Sequence, residues 1–274
     1  MGNVPTKTLN NGVEIPQLGF GVWQVPPEET SVAVGHALRA GYRSIDTAAL
    51  YGNEEGVGRA IAESGIDRAE LFITTKLWNT EHGYDSTLRA FDESMRKLGL
   101  EVLDLYLIHW PAPKQDGYVD TWRAFEKLYG EGRIRAIGVS NFHVPHLERL
   151  LRETEIVPAV NQVELHPDFA QAELREFHAK QGIATEAWSP LAQGGLLAEG
   201  ALVTIAEKYG RTPAQVALRW HLQIGNIAIP KSVTPTRIVE NFDVFGFELT
   251  ADDVAAISAL DRGNRLGPNP DDLN

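Results

Sequence analysis

Short runs rich in β-branched and aromatic residues alternate along the chain with stretches of helical spacing. In order the runs read YRSIDTA, LFITTKLW, VLDLYLIHW, IRAIGVSN, AVNQVEL, IATEAWSP, NIAIP and FGFEL. Between them apolar positions recur every three or four residues. Leu88, Phe91, Met95 and Leu98 share one helix face, and Gly99 supplies a left-handed cap. Trp122, Phe125 and Leu128 repeat the pattern before Gly130. Thr212 before Pro213, and Thr234 before Pro235, pair an N-cap hydroxyl with a first-turn proline, which predicts two helix starts.

Strands that are apolar almost throughout, each followed by a helix, are what a parallel sheet covered on its outer face requires. Eight such units in 274 residues predict an α/β fold: a closed (β/α)8 TIM barrel forming a single domain over residues 1–274. The rival is an open doubly wound sheet, which carries a glycine-rich phosphate loop after its first strand. Here that strand runs into DTAALYGNEEGVG, which lacks the motif and sets two glutamates where a pyrophosphate would sit. Two pieces lie outside the repeat. TKTLNNGVEIPQLGFG predicts a β-hairpin with a two-residue Asn11-Gly12 turn. At the other end, Thr250 and Asp253 form a capping pattern for an extra C-terminal helix, followed by a tail that either frays or folds over the barrel mouth.

Composition narrows the chemistry. The chain has no cysteine, so disulfides, thiolate metal sites and thiol nucleophiles are excluded. A formal net charge of -12 without a long basic cluster argues against a nucleic-acid partner. No apolar run reaches membrane-spanning length, and a cytoplasmic location is the default expectation. Gly2 and Thr6 meet the minimal N-myristoylation pattern, one short enough to arise by chance.

In a (β/α)8 barrel the working groups sit at the C-terminal strand ends. Those ends here are polar: Asp46 and Tyr51, Lys76, His109, Ser140 and Asn141, Gln162 and Glu164, Trp188 and Ser189, Lys231 and Ser232. An ammonium inside a barrel needs a counter-charge, and Asp46 on the adjoining strand is the candidate partner of Lys76. A phenol is too weak an acid for efficient proton donation at neutral pH, and a nearby cation lowers its pKa. Tyr51 beside Lys76 is therefore expected to be a tuned acid, with His109 orienting a substrate oxygen. Glycines 52, 56 and 58 are expected to shape a turn and a close helix contact.

The motifs IPQLGFGVW, GYRSIDTAALYGNEEGVG, TTKLW, DLYLIHWP, IGVSNF, NQVELHP, WSPLAQGG and IPKSVTPTRIVENFDVF, spread over nearly the whole chain, resemble those of the aldo-keto reductase superfamily. Within it they are similar to the bacterial branch of 2,5-diketo-D-gluconate reductases. The resemblance implies a monomeric barrel that binds NADPH or NADP+ in an extended pose. It implies a catalytic tetrad of Asp46, Tyr51, Lys76 and His109, with Tyr51 the proton donor. It assigns Ser140, Asn141 and Gln162 to the carboxamide, Trp188 to stacking on the nicotinamide, and Ser189, Leu191, Gln193 and Gly194 to the pyrophosphate loop. Lys231, Ser232, Val233 and Arg237 fall at the 2′-phosphate site, and Glu240 and Asn241 near the adenine. Two cations there favour NADP(H), although position 234 is threonine where some relatives are basic.

Trp23, Trp78 and Trp110, together with His109, are expected to form a narrow wall for small aldehydes, ketones or dicarbonyls, and Arg265 to face solvent. Two other functions compete. His143, His146, His166 and Glu164 suggest a metal-dependent hydrolase, but the first two read as solvated imidazoles at a helix start and His166 as structural, so no metal is expected. A cofactor-binding regulatory or accessory protein is the alternative from another class, and it would tolerate loss of Tyr51.

Overall fold

The computed structural model describes residues 4–274, and the candidate myristoylation site Gly2 lies outside them. Strands β1 (Thr6–Thr8) and β2 (Glu14–Pro16) form the antiparallel hairpin, with Thr8 opposite Glu14. Its loop differs from the predicted two-residue turn. The Leu9 amide donates to the Val13 carbonyl (2.8 Å) and the Gly12 amide to that of Leu9 (2.9 Å), so three residues turn the chain and Gly12 takes the left-handed position at φ 84°.

Eight parallel strands follow in sequential order: β3 (Phe20–Gly21), β4 (Ser44–Asp46), β5 (Phe72–Leu77), β6 (Leu103–Ile108), β7 (Ile134–Ser140), β8 (Val160–Glu164), β9 (Ala184–Trp188) and β10 (Ile227–Ala228). Leu18 bridges Ala228 in parallel, and the Gly19 and Gly21 amides donate to Ala228 and Pro230 carbonyls at 2.9 and 3.1 Å, closing the ring. FGFEL, expected as the eighth strand, is not a strand; Phe20–Gly21, at the opposite end of the chain, completes the eight. Residues 245–249 instead form an irregular segment in which Phe245 packs on Phe242 and Phe247 on Tyr209.

Helices α1 (Pro27–Ala40), α2 (Glu54–Glu63), α3 (Tyr84–Leu98), α4 (Tyr118–Gly130), α5 (Val144–Glu153) and α6 (Ala172–Gln181) follow the first six barrel strands. After β9 come α7 (Gly200–Tyr209), not foreseen from the sequence, and α8 (Pro213–Gln223); α9 (Pro235–Phe242) follows β10, and α10 (Ala251–Ser258) is the extra C-terminal helix. Gly99 ends α3 at φ 67°, and Thr212, Thr234 and Thr250 are the N-caps of α8, α9 and α10 as expected, the Thr212 and Thr250 hydroxyls accepting from the backbone while the Thr234 hydroxyl makes no capping bond. A Cβ on Gly58 would overlap the Leu98 carbonyl, which is the close helix contact that glycine permits.

Strand alternation sorts the side chains into two cores. Outward residues such as Ile73, Tyr106, Ile108, Ile137 and Val139 pack under the helices. Inward residues Phe72, Leu105, Ala136, Val160, Ala184 and Ile227 fill the lower barrel, plugged from below by Leu9 and Ile15 of the hairpin. Stepping two residues at a time toward the C-terminal ends, the inward positions become polar: Thr74 and Lys76 after Phe72, Gln162 and Glu164 after Val160, Glu186 and Trp188 after Ala184. The interior is thus apolar at its base and ionic near its mouth.

Candidate active site

At that mouth lies a cavity of about 420 Å3, a size suited to a small ligand. Trp23, Tyr51, Trp78, His109, Trp110 and Trp188 give it aromatic walls. Leu266, Gly267, Pro268 and Leu273 of the tail cover one side, so the tail is a flap rather than a frayed end.

Beneath the cavity Lys76 is fully buried, as its inward position on an internal strand requires. Its Nζ donates to Asp46 Oδ1 at 2.6 Å and to the Thr47 carbonyl at 2.9 Å, and lies 5.1 Å from the centre of the Tyr51 ring. The pairing expected between Asp46 and Lys76 is therefore present. Burial works against the ammonium, but the Asp46 carboxylate and then Tyr51 outweigh it, and the Lys76 pKa stands above the ordinary lysine value. For Tyr51 the expected direction needs correction. Burial raises the phenol pKa above its ordinary value; Lys76 pulls it down, Asp46 pushes it up, and burial prevails. Tyr51 is thus held protonated, with a cation poised to stabilise its anion.

The His109 ring meets Tyr51 edge-on at 5.7 Å and Trp78 at 5.2 Å, and its Nδ1 has no hydrogen-bond partner among the described residues. Burial, then Lys76, hold its pKa well below the usual histidine value, so the ring is neutral at pH 7. A protonated phenol and a neutral imidazole at one cavity wall, backed by an ammonium and a carboxylate, can deliver a proton to an oxygen that gains negative charge.

A second network runs around the barrel rim. Asn141 sits at φ 64°, a left-handed conformation that asparagine tolerates. Its Nδ2 donates to the His109 carbonyl and to Ser140 Oγ, both at 3.0 Å, while its Oδ1 accepts from Trp188 Nε1 at 2.8 Å. Ser140 Oγ donates to the Gln162 carbonyl at 2.8 Å. Gln162 Nε2 donates to Asp46 Oδ2 at 2.8 Å and to Glu186 Oε2 at 2.9 Å. Glu186 was missed in the sequence. A charged residue two positions before Trp188, on the same inward side of the strand, was the available signal.

Of the cofactor candidates, Ser140, Asn141, Gln162, Trp188, Ser189, Gln193 and Lys231 line the cavity, whereas Leu191, Gly194, Ser232, Val233, Arg237, Glu240 and Asn241 do not. Ser189, Ala192 and Gln193 have φ of 48, 47 and 53°, unusual for residues with a Cβ, and such strain gathers at ligand clamps. Arg237 is exposed in the first turn of α9. Glu240 Oε1 is engaged by Thr212 Oγ1 at 2.8 Å. Asn241 is buried.

The histidines divide into two groups. Glu164 accepts from His166 Nε2 (2.9 Å) and from the Leu266 and Gly267 amides (2.6 and 2.8 Å), while Asp168 meets His166 Nδ1 at 2.5 Å and accepts from Asn264 Nδ2 at 2.9 Å. This acid–imidazole–acid chain clamps the tail. Burial opposes the Glu164 charge, but those hydrogen bonds hold its pKa below the ordinary value. His143 and His146 meet Asp271 instead, and the expectation that both are solvated fails for His146, which is buried. Its Nδ1 accepts from the His143 amide at 3.1 Å, which puts the proton on Nε2, the atom facing Asp271 at 3.5 Å. That tautomer suits a hydrogen bond rather than a metal ion. Arg265 stacks its guanidinium 4.7 Å from the Phe169 ring centre and is half-buried, not solvated as expected.

Comparison with known proteins agrees with this geometry. The Aldo/keto reductase family profile matches residues 17–262. The chain is 57% identical over 269 residues to a glyoxal reductase of Bacillus subtilis, covering 98% of this chain and 97% of that one. It is 51% identical over 273 residues to the methylglyoxal reductase DkgA of Escherichia coli, covering 99% and 98%. The crystal structure of a Gox0644 mutant in complex with NADPH superposes with a TM-score of 0.96 at 54% identity, covering 100% of both chains. The chain belongs to the aldo/keto reductase family and is an oxidoreductase.

Proposed function

We propose that the chain reduces small aldehydes, ketones and especially dicarbonyls to alcohols with NADPH, Tyr51 being the proton donor. The observation that carries this reading is the buried Lys76 Nζ, fixed by Asp46 at 2.6 Å and lying 5.1 Å from the Tyr51 ring centre beneath an aromatic cavity. The residues present suit the cofactor. Gln162 Oε1 and the Trp188 ring offer an acceptor and a flat face to an amide-bearing heterocycle, and Lys231 at the cavity wall, with Arg237 exposed on α9 outside the cavity, offers charge to a 2′-phosphate. When bound, NADPH supplies the hydride to the carbonyl carbon.

Tyr51 gives its proton to the carbonyl oxygen as charge builds there, and Lys76 stabilises the phenolate left behind. Asp46 keeps Lys76 aimed and charged. His109, neutral, orients the carbonyl by a hydrogen bond from its ring, and the indoles with the tail exclude water. The glyoxal and methylglyoxal named for the relatives fit a cavity of about 420 Å3 better than bulky polycyclic ketones do. The chain is further inferred to act as a cytoplasmic monomer, since one chain supplies the whole cavity. No helix among the described residues is long and apolar enough to cross a membrane. The test is NADPH oxidation with methylglyoxal, phenylglyoxal and 2,5-diketo-D-gluconate. Turnover is expected, strongest with the small dicarbonyls; binding of NADPH without turnover of any carbonyl would favour a regulatory protein.

A further inference from the structure

Glu186 is a buried carboxyl that the proton-transfer machinery leaves unexplained. It sits in the middle of β9, 1% exposed, with Ile227 beside it on one flank and Gln162 on the other. An amide nitrogen carries two hydrogens, and Gln162 commits both: one to Asp46 Oδ2 at 2.8 Å, the other to Glu186 Oε2 at 2.9 Å. Its Oε1 has no partner among the described residues, and Gln162 lines the cavity. Turning an amide over exchanges donor for acceptor and sets its carbonyl oxygen against the group that had accepted its N–H. With two carboxyls in place that opposition is met twice, so the orientation is held more firmly than Asp46 alone would hold it.

We propose that Glu186 is a positioning residue: with Asp46 it fixes the Gln162 amide so that a single acceptor oxygen is offered to the N–H side of the nicotinamide carboxamide. This rests on the reading that NADPH occupies the cavity. The groups facing Glu186 are Asp46 on β4, Lys76 on β5 and the Gln162 amide on β8; β10 contributes apolar Ile227 and Ala228. One ammonium therefore faces two carboxyls. Burial, then Asp46, push the Glu186 carboxyl up to about 7. A protonated Glu186 still accepts from Gln162 through its carbonyl oxygen and Asp46 continues to oppose turning, so the amide keeps its orientation on both sides of that pH while the charge changes. Above it the cluster is negative and favours the oxidised cofactor, whose ring is cationic, over the reduced one.

The experiment measures dissociation constants of NADPH and NADP+ by quenching of tryptophan fluorescence between pH 5.5 and 8.5, for wild type, Glu186→Gln and Glu186→Leu. Taking the NADP+ to NADPH ratio cancels titration of the shared phosphates. In wild type, NADP+ is expected to gain on NADPH as pH rises through 7. Glu186→Gln keeps the acceptor, so its NADPH affinity should lie within about twofold of wild type at pH 5.5, and its ratio should be flat with pH. Glu186→Leu removes the acceptor and should bind both cofactors about fivefold to tenfold more weakly. The proposal is overturned if the leucine variant binds as wild type does, or if the glutamine variant is as weak as the leucine variant. Failure of wild type to bind either cofactor would instead overturn the functional reading, and this inference with it.

Discussion

Replacing Lys76 by methionine keeps the length of the side chain and removes its charge. At 5.1 Å from the Tyr51 ring centre and an effective dielectric of about 20, an ammonium stabilises a phenolate by about 3 kcal/mol. If the proton has fully left Tyr51 in the transition state, losing that interaction slows the chemical step about a hundredfold; if it is half transferred, about tenfold. The substitution also strips Asp46 of its counter-ion. Breaking a buried pair costs about 3–5 kcal/mol of stability, relieved in part because the raised Glu186 carboxyl can take up a proton. The assay is therefore single-turnover NADPH oxidation at 10 °C, with near-UV circular dichroism to establish that the variant is folded. The expected result is a rate lowered ten- to a hundredfold, with NADPH affinity within about threefold of wild type. A folded variant that reacts within threefold of the wild-type rate would refute the argument that Lys76 tunes Tyr51.

Further outcomes follow from the same geometry. Lys231→Ala and Arg237→Ala should each weaken NADPH about tenfold while leaving NADH unchanged, as measured by titration calorimetry; equal losses for both cofactors would show that neither residue reads the 2′-phosphate. Glu164→Ala removes the acceptor of the Leu266 and Gly267 amides, so the flap should loosen and raise KM for small dicarbonyls several-fold with little change in kcat; an unchanged KM would mean that the tail does not shape the substrate site. Burial lowers His178 and His221 to about 3, so each is neutral when folded and protonates when unfolded. Their stabilisation is complete above the unfolded pKa near 6.5, and falls by about 1.4 kcal/mol per group for each pH unit below it. Tm should therefore drop steadily from pH 6.5 to 4.5, and a flat Tm across that interval would contradict the burial argument.

The barrel was legible because β5 to β9, buried almost throughout, recur as short β-rich runs alternating with segments of helical spacing. β3 was not, for a two-residue strand, Phe20–Gly21, shows no period, and while one edge pairs with nearby β4 the other closes the ring onto Ala228 and Pro230, more than two hundred positions away. FGFEL misled for the opposite reason. Phe245, Phe247 and Leu249 alternate like a strand, yet that spacing equally serves an irregular segment touching α7, α8 and α9 on successive sides. At the site, Asp46, Tyr51, Lys76 and His109 were legible because polar groups at the C-terminal ends of barrel strands stand out against their apolar surroundings. The net effect on Tyr51 could not be read there, since it depends on how deeply the ring is buried against how near Lys76 lies. Glu186 escaped because it lies one inward step below the mouth. Glu164 stands out as a strand-end carboxylate, but besides nearby His166 its partners are tail amides a hundred residues on, which no local pattern announces.

The account stands on Tyr51 as the proton donor, and Tyr51→Phe tests it most directly because the ring, its packing and the Lys76–Asp46 pair all remain. Single-turnover reduction of methylglyoxal and equilibrium binding of NADPH would be measured on both proteins. The account predicts that the variant binds NADPH as wild type does and loses turnover by about a thousandfold, the scale of a missing general acid. A variant that binds NADPH and reduces methylglyoxal at a rate near that of wild type would contradict it.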